Sequence, residues 1–391
     1  MNTQHDVAQT NSRAFSSSNA DLINRAGQAS LMDTPALVID LDQLEHNISA
    51  MADWARRSNV KLRPHAKTHK SAEIAARQLA AGAVGICVAK ISEAQQLLSR
   101  GIGRILITSP VVTDRKIAAL LAMNKVAEEL LVVLDNAEVA TRLDRAARGT
   151  NEIIQVLIDV GMGSNRTGVV SPEQALELAG KISACGNLKL RGIQAYAGAV
   201  QHMEPFEQRR VLSGEAQAYI RQVRDSLAIA GYDLGIVTGG GTGSCEFDLG
   251  AGLFTDLQLG SYVFFDVEYN LVHRGSDFPQ SLRTSLFVQT TVISSNVVSR
   301  PTTDAGLKAF ATDGPLPTIA AGAPQPAYYK FMGDEQGAVV LPAGTHLPAG
   351  SVIRCVTPHC DPTVNLYDCF HCIRGDTLVD IWPVDARGRS Q

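Results

Sequence analysis

The sequence predicts an α/β fold, a (β/α)8 TIM barrel followed by an all-β C-terminal domain. Short runs of β-branched and apolar residues recur between residues 60 and 260, and amphipathic or alanine-rich segments separate them. After residue 276 the helical patterns stop, and strand-like runs alternate with turns rich in glycine and proline. About eight strand–helix repeats followed by strands alone indicate a parallel barrel with a separate β domain.

The barrel strands are predicted from their length and composition. They cover residues 60–66, 85–89, 104–108, 130–135, 153–159, 188–196, 235–238 and 256–260. The helical segments between them cover residues 71–82, 91–100, 113–124, 136–148, 172–182 and 204–230. These limits place the barrel domain at residues 33–275.

A β domain and a polar tail are predicted outside the barrel. The β domain covers residues 276–391 and shows no convincing helix; its predicted strands are 286–293, 337–341, 351–357 and 366–373. An early strand at 36–39 precedes the barrel strands, and the sequence leaves open whether it pairs with the β domain. Residues 1–32 are polar, and we expect them to form a flexible N-terminal tail.

Composition narrows the function to work on a small molecule. The 391 residues carry a net charge of −4 and an isoelectric point near 6.1, without the clustered positive excess that nucleic acids or polybasic membrane binding require. No apolar run reaches the roughly 18 residues of a membrane span, and no secretion signal is evident, so we expect a cytoplasmic protein. The seven cysteines are scattered and odd in number, which favours reduced thiols.

A basic segment at residues 63–70 ends the first barrel strand and contains Lys67. Active sites of such barrels lie just beyond the C-terminal ends of the strands, so a lysine there suggests a Schiff base. We expect the charges of Arg63 and Lys70, together with burial, to lower the pKa of Lys67. A solvated basic run is the alternative that this segment alone leaves open.

Three later strand ends add candidate ligand-binding groups. The glycine-rich run from Thr238 to Ser244 follows the seventh strand, where barrels commonly bind phosphate. Arg166 follows the fifth strand, and its guanidinium can hold a phosphate or phenolate oxygen. Tyr196 and His202 follow the sixth strand and supply a hydroxyl and an imidazole.

In the predicted β domain, His359 and Asp361 stand two residues apart. On an extended segment they share one side, where one imidazole and one carboxylate can bind a divalent ion and leave positions for water and substrate. A plain turn is the alternative. Cys369 and Cys372 are three residues apart on a predicted strand, so they diverge and are read as packed thiols rather than metal ligands.

Together these residues resemble one family, the fold-type III pyridoxal-phosphate enzymes, in the branch of D-threonine aldolase and 3-hydroxy-D-aspartate aldolase. The resemblance runs from Thr34 to Gly388. It is carried by residues 63–70, 194–196, 201–202, 238–244, 258–262, 304–308 and 358–363.

The resemblance implies two cofactors, pyridoxal 5′-phosphate and a divalent metal. It implies that Lys67 forms the Schiff base, that His359 and Asp361 bind the metal, and that His202 is a base near the substrate hydroxyl. The cofactor-binding set that it implies is Lys67, Arg166, Tyr196, Thr238, Gly241, Thr242, Gly243 and Tyr262. Relatives are typically homodimers, which we expect here by analogy.

Asp361 discriminates within the superfamily, because the related dehydratases typically have a cysteine there. A carboxylate favours Mn²⁺, Mg²⁺ or Co²⁺ over the zinc that a thiolate selects. We therefore expect an aldolase that cleaves a D-3-hydroxy-amino acid to glycine and an aldehyde. A D-serine or 3-hydroxy-D-aspartate dehydratase, a racemase and a non-catalytic pyridoxal-phosphate carrier are the alternatives, and the substrate side chain stays open.

Overall fold

The computed structural model describes residues 17–163 and 166–391. The first strand, β1 (Ala36–Asp40), and the first helix, α1 (Leu41–Arg57), precede the barrel. The side chain of Asp40 accepts a hydrogen bond from Gln43 N and so caps α1. The helix buries an apolar face that includes Trp54, whose indole N–H donates to Asp277 O.

Eight parallel strands confirm the predicted barrel. They are β2 (Lys61–Leu62), β3 (Ile86–Val88), β4 (Arg104–Ile107), β5 (Glu129–Leu134), β6 (Ile154–Val160), β7 (Leu188–Ala195), β8 (Ile236–Gly239) and β9 (Asp256–Leu257). The sheet order is β2-β9-β8-β7-β6-β5-β4-β3, and a parallel bridge between His65 and Cys87 joins its two ends. The first strand is shorter than the predicted 60–66 because Pro64 has no N–H to donate.

Alternation of side chains along these strands forms two cores. Leu106, Leu131, Val133 and Leu157 belong to a cluster inside the barrel. Their neighbours in sequence point outward and pack against the helices. The packed helices are α2 (Ala72–Ala80), α3 (Ile91–Ser99), α4 (Asp114–Asn124), α5 (Ala137–Thr150), α6 (Pro172–Ser183) and α7 (Phe206–Ile229).

Two short helices, α8 (Cys245–Gly250) and α9 (Val267–Leu271), lie beyond the seventh and eighth barrel strands. The β domain follows. Its strands are β10 (Leu286–Ser294), β11 (Thr302–Thr303), β12 (Thr318–Ala321), β13 (Tyr328–Phe331), β14 (Gly337–Val340), β15 (Val352–Val356), β16 (Cys369–Arg374) and β17 (Thr377–Pro383).

Strand β1 lies inside the sheet of the β domain. It pairs antiparallel with β10 and parallel with β16, in the sheet order β13-β14-β11-β10-β1-β16-β17. The early strand, whose pairing the sequence left open, therefore pairs with the β domain. Strand β15 joins the same sheet through β10 and β12.

Residues 17–32 differ from the flexible tail that we expected. They contain two single-turn 3-10 helices at Ala20–Leu22 and Ala29–Leu31. Leu22 and Ala29 pack against Ile373 and Leu378 of the β domain, so apolar burial holds this segment. Residues 1–16 of the predicted tail lie outside the described residues.

A second difference concerns His359 and Asp361. The predicted extended segment is wrong, because a short helix, α10 (Cys360–Val364), begins directly after His359. Asp266 Oδ2 accepts a hydrogen bond from Cys360 N at 2.7 Å and so caps this helix from a distant part of the chain.

All seven cysteines lie in the described part of the chain as free thiols. Cys369 and Cys372 are buried in β16, in agreement with their interpretation as packed thiols. None of the helices in residues 17–163 and 166–391 combines the length and apolar character that a membrane span requires.

Candidate active site

A cavity of about 520 Å³ opens at the C-terminal ends of the barrel strands. It brings together Lys67, Arg166, Tyr196, Gly241 and Thr242 from the predicted cofactor-binding set. Catalytic groups of (β/α)8 barrels lie at this end because the loops after the strands converge there. Other strand ends contribute His65, Thr68, Lys90, Thr108, Gln194, Gln258 and Ser261, and helix α9 contributes Tyr269.

Lys67 lies in a tight turn that follows the first barrel strand. The turn is closed by a hydrogen bond of 2.7 Å from Lys70 N to Ala66 O. The Lys67 amine is 5.4 Å from the centre of the Tyr196 ring and 4.0 Å from Asp361 Oδ1. A lysine of the barrel therefore meets a carboxylate of the β domain.

The pKa of Lys67 is raised, whereas the sequence analysis expected it to be lowered. Burial lowers this pKa, but Tyr196 and Asp361 raise it and outweigh both burial and the charge of Arg166. These neighbours therefore favour the protonated amine of Lys67, whereas a Schiff base requires the free amine.

The two cations that we expected to act on Lys67 are paired elsewhere. Arg63 Nε lies 3.3 Å from Asp256 Oδ1 inside the barrel. Lys70 Nζ lies 3.1 Å from Glu93 Oε1. Each positive charge is compensated by its own carboxylate, so neither lowers the pKa of Lys67.

His65 presents a neutral imidazole next to the lysine. Its Nδ1 accepts a hydrogen bond of 3.3 Å from Lys67 N, and its Nε2 lies 3.1 Å from Thr108 Oγ1. Burial lowers the pKa of His65 well below its usual value, and the charges of Lys67 and Arg166 lower it further.

A buried polar layer supports the cavity from within the barrel. Gln194 Nε2 donates to Asp159 Oδ1 at 3.0 Å, and Gln258 Nε2 donates to Gln194 Oε1 at 3.2 Å. Thr238 belongs to this layer, because its hydroxyl donates to Asp256 Oδ1 at 2.5 Å and accepts from Gln258. Thr238 was predicted to bind the cofactor, but its hydroxyl is occupied by these contacts.

The glycine-rich loop fits an oxyanion. Thr242 Oγ1 is buried and has no hydrogen-bond partner among the described residues. A buried hydroxyl without a partner costs about 1–3 kcal/mol, so a ligand oxygen at this atom would restore the lost contact. Gly243 differs from its prediction, because its N–H donates to Gln201 Oε1 at 3.0 Å.

Tyr196 lies between two cations. Arg166 Cζ is 5.3 Å from the centre of its ring, and Lys67 Nζ is 5.4 Å from the same centre. Cation–π contacts at these distances hold both side chains at the cavity. The structure thus brings Arg166 into the site, as predicted.

His359 and Asp361 converge although they lie on a helix start rather than a strand. His359 Nε2 is 3.9 Å from Asp361 Oδ2, and His359 Nδ1 is 3.0 Å from Asp313 Oδ2. A carboxylate at Nδ1 is the contact that orients a metal-binding imidazole, and it leaves Nε2 directed at Asp361. The donor set of one imidazole nitrogen and one carboxylate oxygen therefore fits a divalent cation.

The described residues contain no ready cluster of three or more His, Cys, Asp or Glu side chains that could hold a metal. The pair can supply two ligands, and the other coordination positions of a bound ion would belong to water and substrate.

His202 lies beside this pair. Its ring centre is 5.7 Å from that of His359, and its Nδ1 is 3.2 Å from Glu268 Oε2. The geometry of this contact is not that of a hydrogen bond, and Glu268 Oε2 makes no hydrogen bond among the described residues. Burial, followed by the charge of His359, lowers the pKa of His202, so the imidazole is available as a base.

Four other polar or charged side chains do not line the cavity. Tyr262 is buried, and its hydroxyl accepts from Gln78 Nε2 at 3.0 Å outside the cavity lining. Arg209 is fully buried and donates to Met203 O, so its guanidinium is not available to a substrate carboxylate. His69 is fully buried, and Lys70 is paired as described above.

Sequence reasoning missed Glu268, Asp313 and Tyr269. Glu268 and Tyr269 belong to the five-residue helix α9, and Asp313 lies in a turn, so none follows a barrel strand. A carboxylate beside each histidine is a chemical requirement, but many acidic residues of the chain could have met it.

Comparisons with known proteins show the family of the chain. Residues 39–267 match the family model for the alanine racemase N-terminal domain, and residues 285–373 match the putative serine dehydratase domain. The chain is 40% identical to a D-threonine aldolase from Arthrobacter sp over 362 residues, 92% of this chain and 94% of the relative. It is 36% identical to a 3-hydroxy-D-aspartate aldolase from Paracoccus denitrificans, over 92% of this chain and 93% of the relative.

A solved structure of D-threonine aldolase from Filomicrobium marinum matches with a TM-score of 0.89 and 36% identity. The match covers 93% of this chain and 98% of that chain. A D-threo-3-hydroxyaspartate dehydratase from Delftia sp. HT23 matches less closely, with a TM-score of 0.79 and 25% identity over 91% of this chain and 98% of that chain. The chain therefore belongs to the family of fold-type III pyridoxal-phosphate enzymes that includes D-threonine aldolase and 3-hydroxy-D-aspartate aldolase.

Proposed function

We propose that this protein is a pyridoxal-phosphate- and divalent-metal-dependent aldolase that cleaves D-3-hydroxy-amino acids to glycine and an aldehyde. One observation carries the proposal. Asp361 faces the Lys67 amine with one oxygen, at 4.0 Å, and His359 Nε2 with the other, at 3.9 Å. A Schiff-base lysine and a candidate metal pair therefore share one small volume, as cleavage beside a β-hydroxyl requires.

The residues divide the work between holding and proton transfer. Lys67 would hold the cofactor by its aldehyde, and Thr242 Oγ1 would donate to its phosphate. When bound, pyridoxal phosphate supplies an electron sink for the electrons left at the substrate Cα, and a divalent ion at His359 and Asp361 lowers the pKa of the β-hydroxyl. His202 Nε2 would take the hydroxyl proton, and the Glu268 carboxylate lies 3.2 Å from His202 Nδ1.

Loss of that proton favours breakage of the Cα–Cβ bond, because the new carbonyl forms as the bond electrons move to Cα. Departure of the hydroxyl instead would give an oxo acid and ammonia. A carboxylate at position 361 and the names of the relatives at 40% and 36% identity both support the first outcome.

Product analysis tests the reaction. The purified chain, with pyridoxal phosphate and Mn²⁺, is incubated with D-threonine, D-threo-3-hydroxyaspartate and their L forms, and glycine, aldehyde and ammonia are measured. We expect glycine and aldehyde in equal amounts from a D substrate only, and loss of turnover with EDTA. Ammonia and an oxo acid without glycine would show a dehydratase.

Two substitutions separate the cofactor from the metal. Lys67→Ala should abolish the borohydride-trappable link to the cofactor. Asp361→Ala should remove metal-dependent turnover while the cofactor stays bound. Lys308→Ala is the matched control, because Lys308 is exposed on the β domain and pairs with Glu335. Turnover that survives both site substitutions would contradict the proposal.

The metal identity and the assembly belong to the same proposal. The oxygen donor of Asp361 favours Mn²⁺, Mg²⁺ or Co²⁺ over Zn²⁺. We include a cytoplasmic location and a homodimer in the proposal; the dimer is supported by exposed apolar side chains at and beside the edge strand β13, where Tyr328 is 60% and Met332 45% exposed. Light scattering at micromolar concentration tests the dimer, and a monomer mass would contradict it.

A further inference from the structure

The candidate base His202 is preceded by a residue that the proposed reaction does not use. Gln201 is 1% exposed, and its side chain enters the glycine-rich loop. Its Oε1 accepts from Gly243 N at 3.0 Å, and its Nε2 donates to Ser244 Oγ at 2.9 Å and to Ala197 O at 3.1 Å. One buried amide thus ties the loop to the segment that carries the base.

The loop is shaped around this glutamine. A Cβ atom added to Gly241 would stand 2.3 Å from Gln201 Oε1, and one added to Gly243 would stand 1.9 Å from the Gln201 carbonyl oxygen. Side chains at both positions are therefore excluded by Gln201. The two glycines serve this close approach as well as ligand access.

A second buried residue fixes the far side of the loop. Asp248 Oδ2 accepts from Ser244 Oγ at 2.5 Å, and its Oδ1 accepts from Gln217 Nε2 at 3.2 Å. Ser244 Oγ also accepts from Gly241 N at 3.3 Å. The chain of contacts from Asp248 through Ser244 to Gln201 leaves the loop little freedom, except at the unpartnered hydroxyl of Thr242.

That hydroxyl lies between Gly241 and Gly243 in the sequence. An oxyanion bound at Thr242 would restrain the neighbouring Gly243, whose N–H donates to Gln201 Oε1, and Gln201 directly precedes His202 in the chain. The ring of His202 is also confined by Tyr269, with 4.8 Å between ring centres. Because Tyr269 confines the ring, the position of the His202 imidazole then depends mainly on the backbone that Gln201 fixes.

We propose that Gln201 is a positioning residue that couples phosphate in the loop to the placement of His202, so that cofactor phosphate fixes the base. Asp248 and Ser244 hold Gln201 in register. The identity of His202 as the base rests on the proposed function, whereas the coupling between loop and imidazole does not. Coupling of this kind is reciprocal and commonly amounts to roughly 5- to 150-fold in affinity.

Chemical labelling of His202 tests the coupling without catalysis. The cofactor-free protein is treated with diethyl pyrocarbonate, with and without inorganic phosphate, and the modified histidines are located by peptide mass spectrometry. We expect phosphate to change the labelling rate of His202 by roughly 5-fold or more in the original protein. We expect Gln201→Met to lose this dependence.

Controls separate coupling from shielding and from general loosening. His46, on the outer face of α1, should label at one rate throughout, and Gln95→Met, on the exposed face of α3, should behave as the original protein. An equal phosphate effect with and without Gln201 would indicate shielding and would overturn the proposal. So would the absence of any phosphate effect.

Kinetics give the second readout. Gln201→Met should weaken pyridoxal-phosphate binding, measured by absorbance titration, and should lower kcat even at saturating cofactor. Gln201→Glu keeps the acceptor for Gly243 N–H, so its cofactor affinity and kcat should lie between those of the original protein and the Gln201→Met variant. If the Gln201→Met chain does not fold, Gln201→Glu takes its place in both experiments. A kcat fully restored by excess cofactor would reduce Gln201 to a support of the loop. If the original protein cleaves no D-3-hydroxy-amino acid, the proposed function fails while the labelling result stands.

Discussion

The pKa values of single side chains in this site depend strongly on the charged and polar groups beside them. Lys67 is the clearest case, because Tyr196 and Asp361 raise its pKa although burial alone would lower it. Asp361 contacts both the lysine and His359, so the same carboxylate serves two partners. Occupation by a cation would draw the negative charge of Asp361 away from Lys67 and favour the free amine.

The identity of residue 361 should set the metal preference. Asp361→Cys replaces a hard oxygen ligand by a thiolate, so turnover should shift from Mn²⁺ or Mg²⁺ to Zn²⁺. The measurement is product release from metal-stripped protein titrated with each ion. Asp361→Asn keeps the shape without charge or thiolate and should be poorly active with all of them. An unchanged metal profile in the Cys variant would remove Asp361 from the coordination sphere.

Helices and strands show how far the sequence predicts the fold. The barrel strands and the six helices that pack on them were predicted within a few residues, because each repeat carries its own periodicity. Strands β11, β12, β13 and β17 were not predicted, and β12, for example, is mostly exposed and lacks an alternating apolar face. Helix α10 was missed because its cap, Asp266, lies 94 positions away along the chain.

In the candidate site, too, residues with a local sequence signal were predicted and residues placed by distant contacts were missed. Lys67, Arg166, Tyr196 and Thr242 were predicted because they follow barrel strands, and the structure brings them to one cavity. Glu268 contacts His202 within the barrel domain and Asp313 contacts His359 within the β domain, and no spacing pattern in the sequence predicts either contact. Tyr262 has a favourable position in sequence, but its ring points to Gln78.

Helix α7 contains a glycine that the fold does not need. A Cβ atom on Gly214 would meet no atom within 4 Å, so Gly214→Ala should stabilise the helix by about 0.5–1 kcal/mol. Thermal unfolding measures the gain as a higher Tm. Gly192→Ala is the opposite control, since its Cβ would stand 1.7 Å from Ile236 O, and it should lower Tm. A lower Tm for the Gly214 variant would contradict the helix assignment.

The N-terminal segment docks on a buried histidine of β16. Ser17 Oγ lies 3.1 Å and Asn19 Nδ2 3.0 Å from His371 Nε2, while His371 Nδ1 is 3.2 Å from Leu37 O. Since Nδ1 must donate to a carbonyl, Nε2 must accept from Asn19, which requires the neutral ring. Burial lowers the pKa of His371 below its usual value, partly offset by the Leu37 carbonyl.

This arrangement predicts loss of stability in acid. The unfolded chain takes up a proton on His371 near pH 6.5, whereas the folded chain does so only at lower pH. The contribution to stability is therefore complete above about pH 6.5 and declines as pH falls toward the folded pKa. Urea unfolding at pH 7.5 and pH 5 should show a smaller difference for His371→Gln than for the original protein. His46→Gln is the control, and equal differences in all three chains would exclude His371 as the cause.

At the scale of the whole molecule, the β domain contacts two helices of the barrel domain through Asp385. Asp385 Oδ2 accepts from Ala72 N at 2.8 Å, and Asp385 Oδ1 lies 3.1 Å from Arg100 Nε. Helix α2 begins at Ala72, and its own cap residue, Ser71, makes no side-chain cap hydrogen bond. The β domain thus supplies the cap of the helix that follows the Lys67 turn.

Removal of this cap should loosen both the domain contact and the active-site lysine. Asp385→Ala should cost about 0.5–2 kcal/mol in urea unfolding and lower kcat, because the start of α2 fixes the turn at Lys67. Asp385→Asn keeps an acceptor for Ala72 N and should lose much less. Equal losses in the two variants would assign the effect to the ion pair with Arg100 rather than to the cap.

Strand β1 gives the architecture a temporal consequence. It is made before any barrel strand, yet it pairs with β10 on one side and β16 on the other, and Leu37 meets His371 across 334 positions of the chain. During synthesis both hydrogen-bonding edges of β1 stay unpaired while the barrel is translated, because both of its partner strands follow the barrel in the chain. Among the strands of the described residues, β1 is thus made early but is paired late. Pairing of β1 with β10 and β16 closes the β domain, which carries His359 and Asp361 to Lys67 and so completes the candidate site.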